Sequence, residues 1–248
     1  MSRGARPLRA VLFDLDGTLF DRHTAVTRLA LDQAHALGPL LGATTPARFA
    51  ERLVALDARG YVGKPLAYRQ LIDELGLDAR HPRLQPDPLS EDFFRRYADH
   101  PLAFEGVHET LTALRQRSLR IGVLTNGRVA VQHAKLKALG LLPMVDAVLI
   151  SEAEGLRKPD AALFRRALDR LGVAAAEAVH VGDHPENDVR AARAAGLRAV
   201  WMRDRYWPAP EADGVIDGLP ALLEWMDAPP RAEVERPCRQ TRVTPPVR

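Results

Sequence analysis

Cysteine is almost missing from this chain: Cys238 is the single one in 248 residues. An internal disulfide is therefore impossible, and a reducing, cytoplasmic setting is expected. Long apolar runs are missing too. None approaches the ~18 residues of a membrane span, and the N-terminus lacks an apolar signal core, so neither membrane insertion nor export is expected. No internal repeat is visible. A surplus of charge on the body of the chain is also lacking. The formal charge is +3, but Arg3, Arg6 and Arg9 sit at one end, and five arginines face only Glu233 and Glu235 in 228–248. Those two ends account for more than the whole excess, so a nucleic-acid surface is not expected.

What remains is ordinary for a globular protein, with 46% apolar and 27% charged residues. The stretch from Val11 to Asp21 organises it. Residues 8–13 are short, apolar and bounded by Pro7 and a polar turn, which predicts a buried strand. Asp14 and Asp16 follow two residues apart, so an extended backbone sends both to one side. Gly17 then lets the chain turn sharply away. Two neighbouring acids at the end of a buried strand repel each other and need a cation or a proton.

From Asp21 the pattern turns helical. Runs at 22–38, 46–59, 65–75 and 90–98 predict helices, the last with Ser90 as N-cap, and the proline-rich 78–88 predicts a loop. From about 102 helices alternate with strands at 120–124, 147–150, 178–181, 197–201 and 215–216. The predicted fold is α/β: a doubly wound, parallel-sheet, Rossmann-like core (8–20 and 101–227) with an inserted all-helical cap (21–100). The tail 228–248, rich in proline and arginine, is expected to be disordered.

In open α/β sheets, ligands bind beyond the carboxyl ends of the strands. The polar oddities of this chain all fall there: Asp14 and Asp16, then Thr125-Asn126, then Lys158-Pro159, then Gly182-Asp183 with Asp188 five residues on. Singly, each is an unremarkable turn or cap. Together they bring up to four carboxylates, one lysine and several helix N-termini to one rim. A divalent cation and Lys158 leave about one negative charge in excess, which a proton on Asp16 would balance. Oxygen ligands, with only His184 nearby, favour Mg²⁺ over Zn²⁺. Such a site suits a phosphate, with a carboxylate as nucleophile.

These four ordered motifs resemble those of the haloacid dehalogenase superfamily, over the core residues, and the helical insertion falls where that family carries its cap. The resemblance implies that Asp14 attacks phosphorus and that Asp16 is general acid and then base. It implies that Thr125, Asn126 and Lys158 hold the phosphoryl group. It further implies that Asp14, the Asp16 carbonyl and Asp183 bind Mg²⁺, with Asp188 direct or through water. Asp16 points to phosphate rather than halide chemistry, because the family's dehalogenases lack an acid there. The expected activity is Mg²⁺-dependent hydrolysis of a small-molecule phosphate monoester. The alternatives are a sugar-phosphate mutase on the same site and, behind it, a non-enzymatic binding protein or a dehalogenase. A monomer is expected. Arg22, His23, Tyr61, Lys64, Arg69 and Arg128 are polar enough to meet a substrate, but are read as surface side chains.

Overall fold

A computed structural model describes residues 6–97 and 101–228. The expected tail beyond Ala228, with Cys238, lies outside the described residues. Six strands form one all-parallel sheet in the order β3-β2-β1-β4-β5-β6: β1 Ala10–Phe13, β2 Arg120–Thr125, β3 Ala147–Ile150, β4 Ala178–Gly182, β5 Arg198–Met202 and β6 Gly214–Ile216. β1 lies between β2 and β4, with Leu12 opposite Gly122 and His180. That central place is why it reads as an unbroken apolar run: Val11 and Phe13 enter the core on one face of the sheet, Ala10 and Leu12 the core on the other.

The chain winds outward from β1 to β3, then returns to the far side of β1 with β4. This reversal opens a crevice between the carboxyl ends of β1 and β4, where open α/β sheets place their ligands. Helices α5 (Val107–Gln116), α6 (Val129–Ala138) and α10 (Pro220–Asp227) send Leu111, Leu136 and Leu222 into one core. The short α7 (Ser151–Glu154) follows β3; α8 (Ala161–Leu171) and α9 (Ala191–Ala194) cover the opposite face. After β4 the chain does not pass straight into a regular helix: a π-helical turn, Pro185–Arg190, precedes α9.

Between β1 and β2 stand α1 (Arg22–Leu37), α2 (Pro46–Asp57), α3 (Lys64–Leu75) and α4 (Pro86–Tyr97). Among the described residues of 21–97 there is no strand. Asp21 caps α1 by accepting from the Thr24 amide at 3.0 Å, and Thr45 caps α2 from the Arg48 amide at 3.2 Å. The expected start of α4 is corrected. The helix begins at Pro86 rather than Ser90, since prolines fit a first turn whose N–H groups have no partner anyway. Ser90 lies inside it, donating from Oγ to the Pro86 carbonyl at 2.6 Å. The cap is not a separate oil drop. Its Leu29, Phe49 and Phe93 belong to the same continuous core as Val11 and Phe13 of the sheet, joined through Leu15, Leu19 and Phe20. No helix among the described residues is long and apolar enough to cross a membrane.

Candidate active site

Asp14 leaves β1 with its amide donating to the Val181 carbonyl of β4 at 2.9 Å, which fixes its carboxylate over the crevice. Lys158, only 3% exposed, reaches Asp14 Oδ1 at 2.5 Å and Asp188 Oδ1 at 2.6 Å. Burial pulls the Lys158 ammonium down, but the two carboxylates outweigh that and hold it well above its usual value. Both Asp188 oxygens are engaged: Oδ1 with Lys158 and His180 Nε2 (3.1 Å), Oδ2 with the His184 amide (3.0 Å). Burial pushes Asp188 up, yet Lys158 and His180 keep it below the ordinary carboxylate range.

Asp183 is different. It is buried, and among the described residues no side chain donates a hydrogen bond to its carboxylate, although Trp201 Nε1 donates to its backbone carbonyl at 2.7 Å. Burial, aided by the charge of Asp188, lifts its carboxyl to about 7. Burial likewise pushes Asp14 well up, with Asp188 and Asp183 adding to it against Lys158. Gly17, at φ +96°, makes room for this acid: a Cβ there would sit 2.5 Å from Asp183 Oδ2.

Asp16 faces a second lysine that sequence reasoning missed. Lys135 of α6, itself buried, donates to both Asp16 oxygens at 2.6 and 2.8 Å, and Gln132 Nε2 adds a third bond at 2.7 Å. Burial alone would raise Asp16, but Lys135, Arg22 and Gln132 hold it below its usual value. In the metal-free protein Asp16 is thus held down, while Asp14 and Asp183 are the acids pushed up; the expected proton on Asp16 belongs to a site that holds a cation. Gln132 also donates to Thr125 Oγ1 at 2.6 Å, tying the second strand end to the first. The Asn126 carboxamide grips the Lys158 backbone from both ends, accepting from its amide at 2.9 Å and donating to its carbonyl at 3.0 Å. Asn126 thus sets where Lys158 stands. A faint signal for Lys135 existed: Gln132, Lys135, Leu136 and Leu139 fall at helical spacing on one buried stripe.

The other wall of the cleft, about 620 Å³ in volume, belongs to the cap. Here two surface expectations fail. Arg22 Nη1 pairs with Asp57 Oδ2 at 2.6 Å, and buried Lys64 pairs with Asp57 Oδ1. Arg22 and Lys64 both line the cleft. Tyr61 and Arg128 are exposed as expected, at the cleft rim, while His23 and Arg69 are exposed and lie outside it. Tyr61 bridges cap and core, its hydroxyl accepting from Asn187 Nδ2 at 2.9 Å, and Arg59 pairs with Asp204 beyond β5.

The donor set fits a hard divalent cation. Carboxylate oxygens of Asp14, Asp183 and Asp188 lie within 4.8 Å of one another. Among the described residues Asp183 has no cationic partner in hydrogen-bond reach, and three buried carboxylates face one lysine, so the core wall is short of positive charge. Among the described residues the Asp183 carboxylate and the second oxygen of Asp14 meet no side-chain donor, whereas both Asp188 oxygens are occupied.

Comparison with known proteins agrees with this geometry. A family model described as haloacid dehalogenase-like hydrolase matches residues 8–196. A phosphoglycolate phosphatase of Rhodospirillum rubrum is 35% identical over 232 residues, 89% of this chain and 92% of that one. A ribulose-1,5-bisphosphate 5-phosphatase of Halopiger xanaduensis is 34% identical over 87% of this chain and 98% of its own. A phosphoserine phosphatase of Thermus thermophilus is 42% identical over 150 residues, 60% of this chain; the match spans 58% of that protein. The crystal structure of a HAD phosphatase from Thermococcus onnurineus matches with a TM-score of 0.60 at 27% identity, over 88% of this chain and 97% of that one. The chain belongs to the haloacid dehalogenase-like hydrolases. Within that family it is a phosphoric monoester hydrolase.

Proposed function

We propose that this chain is a Mg²⁺-dependent phosphatase of small-molecule phosphate monoesters that works through an aspartyl-phosphate on Asp14. The observation that carries the reading is the pairing of two unlike acids at one strand end. Among the described residues Asp14 keeps one oxygen free of hydrogen bonds beside Lys158, whereas Asp16 is held by Lys135 and Gln132. In the first step the Asp14 carboxylate attacks phosphorus through the oxygen it does not give to a cation, the bond to the leaving alcohol oxygen breaks, and Asp16 delivers a proton to that oxygen. The negative charge of the incoming ester raises the affinity of Asp16 for that proton. In the second step a water attacks the aspartyl-phosphate, Asp16 takes the water's proton, and Asp14 is released with inorganic phosphate. Lys158 and the buried Thr125 flank the transferring group. Asp14, Asp183 and the Asp16 carbonyl, with Asp188 direct or through water, would hold a Mg²⁺ ion, which would supply the missing positive charge.

The same reading divides the chain into a catalytic core, 8–20 and 101–227, and a cap, 21–100, that closes over the cleft. Tyr61 and Arg59, which reach from cap to core, support that division. The names of the relatives place small phosphate esters among their substrates, which supports the substrate class. Keeping Asp16 argues for water and phosphate rather than halide displacement. Phosphate release from p-nitrophenyl phosphate should appear with millimolar Mg²⁺, vanish with EDTA and be absent in Asp14→Asn. Full activity in EDTA, or in Asp14→Asn, would overturn the proposal.

A further inference from the structure

The cap wall of the cleft holds a second ionic cluster that the proposed phosphoryl chemistry does not use. Asp57 is 1% exposed, and two cations converge on it, Arg22 at 2.6 Å and Lys64. One carboxylate does not balance two cations, so this cluster carries an excess positive charge in a largely dehydrated place. Leaving a buried charge unmatched is costly. The fold nevertheless makes room for it. Gly60, at φ +88°, lies under the Arg22 guanidinium, and a Cβ there would approach Arg22 Nη2 to 2.8 Å. Lys64 Nζ stands 4.4 Å from the centre of the Phe93 ring, which favours a cation without neutralising it.

A third group in the same wall points to a ligand. Tyr97 lines the cleft, and its buried hydroxyl has no hydrogen-bond partner among the described residues. Burial and the nearby charge of Asp16 hold that hydroxyl protonated, so it is a donor in want of an acceptor. Lys135 also stands beside Tyr97, 4.8 Å from its ring centre, but it is matched by Asp16. Arg22, Lys64 and Tyr97 therefore offer an unmatched charge and an unmatched donor to whatever lies between them and Asp14. Phosphate itself has its own cation, Lys158, on the opposite wall.

We propose that Arg22, Lys64 and Tyr97 form a docking site for a second anionic group, so that the preferred substrate is a phosphomonoester whose alcohol part carries a carboxylate or a second phosphate. The inference rests on the phosphatase reading above and adds the substrate class to it. A guanidinium edge, an ammonium and a phenol hydroxyl suit either oxyanion. Asp57 holds the two cations apart and aimed when the site is empty.

Two matched pairs of esters test this: 2-phosphoglycolate against ethyl phosphate, and 1,3-propanediol bisphosphate against propyl phosphate. In the full-length protein with Mg²⁺, at least one ester with a second anionic group should exceed its partner lacking that group in kcat/KM on the order of 10–100-fold, the range expected for charged hydrogen bonds. The pair that shows the preference identifies the group. Arg22→Gln, which leaves Asp57 paired with Lys64, should bring that ratio down toward one. Tyr97→Phe removes one oxygen and should lower the ratio severalfold; it carries the same test should Arg22→Gln not fold. Hydrolysis of all four esters with equal kcat/KM would overturn this inference alone. Equal loss for esters with and without the second anionic group in both variants would do the same. No hydrolysis of any ester would overturn the phosphatase reading and the inference with it.

Discussion

The two walls of the cleft are built on opposite charge logic. On the core wall three buried carboxylates, Asp14, Asp183 and Asp188, face one lysine, Lys158. On the cap wall two cations, Arg22 and Lys64, face one carboxylate, Asp57. Each wall is in deficit by itself, and each deficit names what would complete it: a cation for the core, an anion for the cap. Asp16 and Lys135 sit between them as a matched pair. A hydrophobic cleft would need no such arrangement, and ion pairs that served stability alone would be balanced.

Removing the minority ion from each wall should produce the largest effects. Lys158→Met leaves the core acids without their lysine, and Asp57→Asn leaves Arg22 and Lys64 facing each other. Each should cost about 3–5 kcal/mol of stability, as for other broken buried pairs, read by urea unfolding. The rescue should differ. Millimolar Mg²⁺ should restore much of the loss in Lys158→Met and little in Asp57→Asn, whereas sulfate should do the reverse. Rescue of both by the same ion would erase the contrast between the walls.

A smaller effect should appear in the unaltered protein. Mg²⁺ relieves repulsion in the folded state only, so at a hundredfold excess over its dissociation constant it should stabilise by about 2.7 kcal/mol. EDTA should reverse the resulting rise in Tm, and Asp183→Asn should show little of it.

The smallest effect is a pH slope, and it has opposite sign on the two walls. In metal-free protein the Asp183 carboxyl is raised by burial from 3.8 to about 7. The folded state then holds a proton that the unfolded chain releases. Its contribution is complete below about 3.8 and is lost as pH rises through about 7. Metal-free Tm should therefore fall between pH 5 and 8, and the slope should flatten in Asp183→Asn. Asp57 runs the other way. Burial raises it, but Arg22 and Lys64 win and hold it below 3.8. Its contribution is present above 3.8 and is lost as pH falls through the lower folded value. Acid scans below pH 4 should show a steeper loss in the wild type than in Asp57→Asn.

What could be read from the sequence was what local pattern carries. β1 is an apolar run ending in two acids, β2 and β4 run into Thr125-Asn126 and Gly182-Asp183, and the loop after β3 carries Lys158. The order of these ends along the chain was enough to expect one rim. The cap wall was out of reach because its partners meet only through tertiary packing: Arg22 begins α1, Asp57 ends α2, and Lys64 begins α3. Nothing local marks a lysine at a helix start as buried. Lys135 and Asp16 are separated by 119 residues. Ser90 shows the converse failure, where a good local cap signal lost to a helix already begun at Pro86. Asn126 was placed at the right strand end, but its carboxamide turned out to serve the Lys158 backbone.

The central claim is that Asp14 attacks and Asp16 moves the proton, and Asp16→Asn tests it most directly. General acid–base groups typically contribute about 10²–10⁴-fold, so steady-state turnover should fall by that order while the nucleophile stays intact. With p-nitrophenyl phosphate, whose phenolate leaves without protonation, rapid mixing should show a burst of nitrophenolate close to one per enzyme. Turnover should then stall, with phosphate bound covalently to Asp14. An alkyl phosphate should give no such burst, because its leaving oxygen needs the missing proton. Equal losses for the two esters, or no burst with the nitrophenyl ester, would contradict the roles given to Asp14 and Asp16.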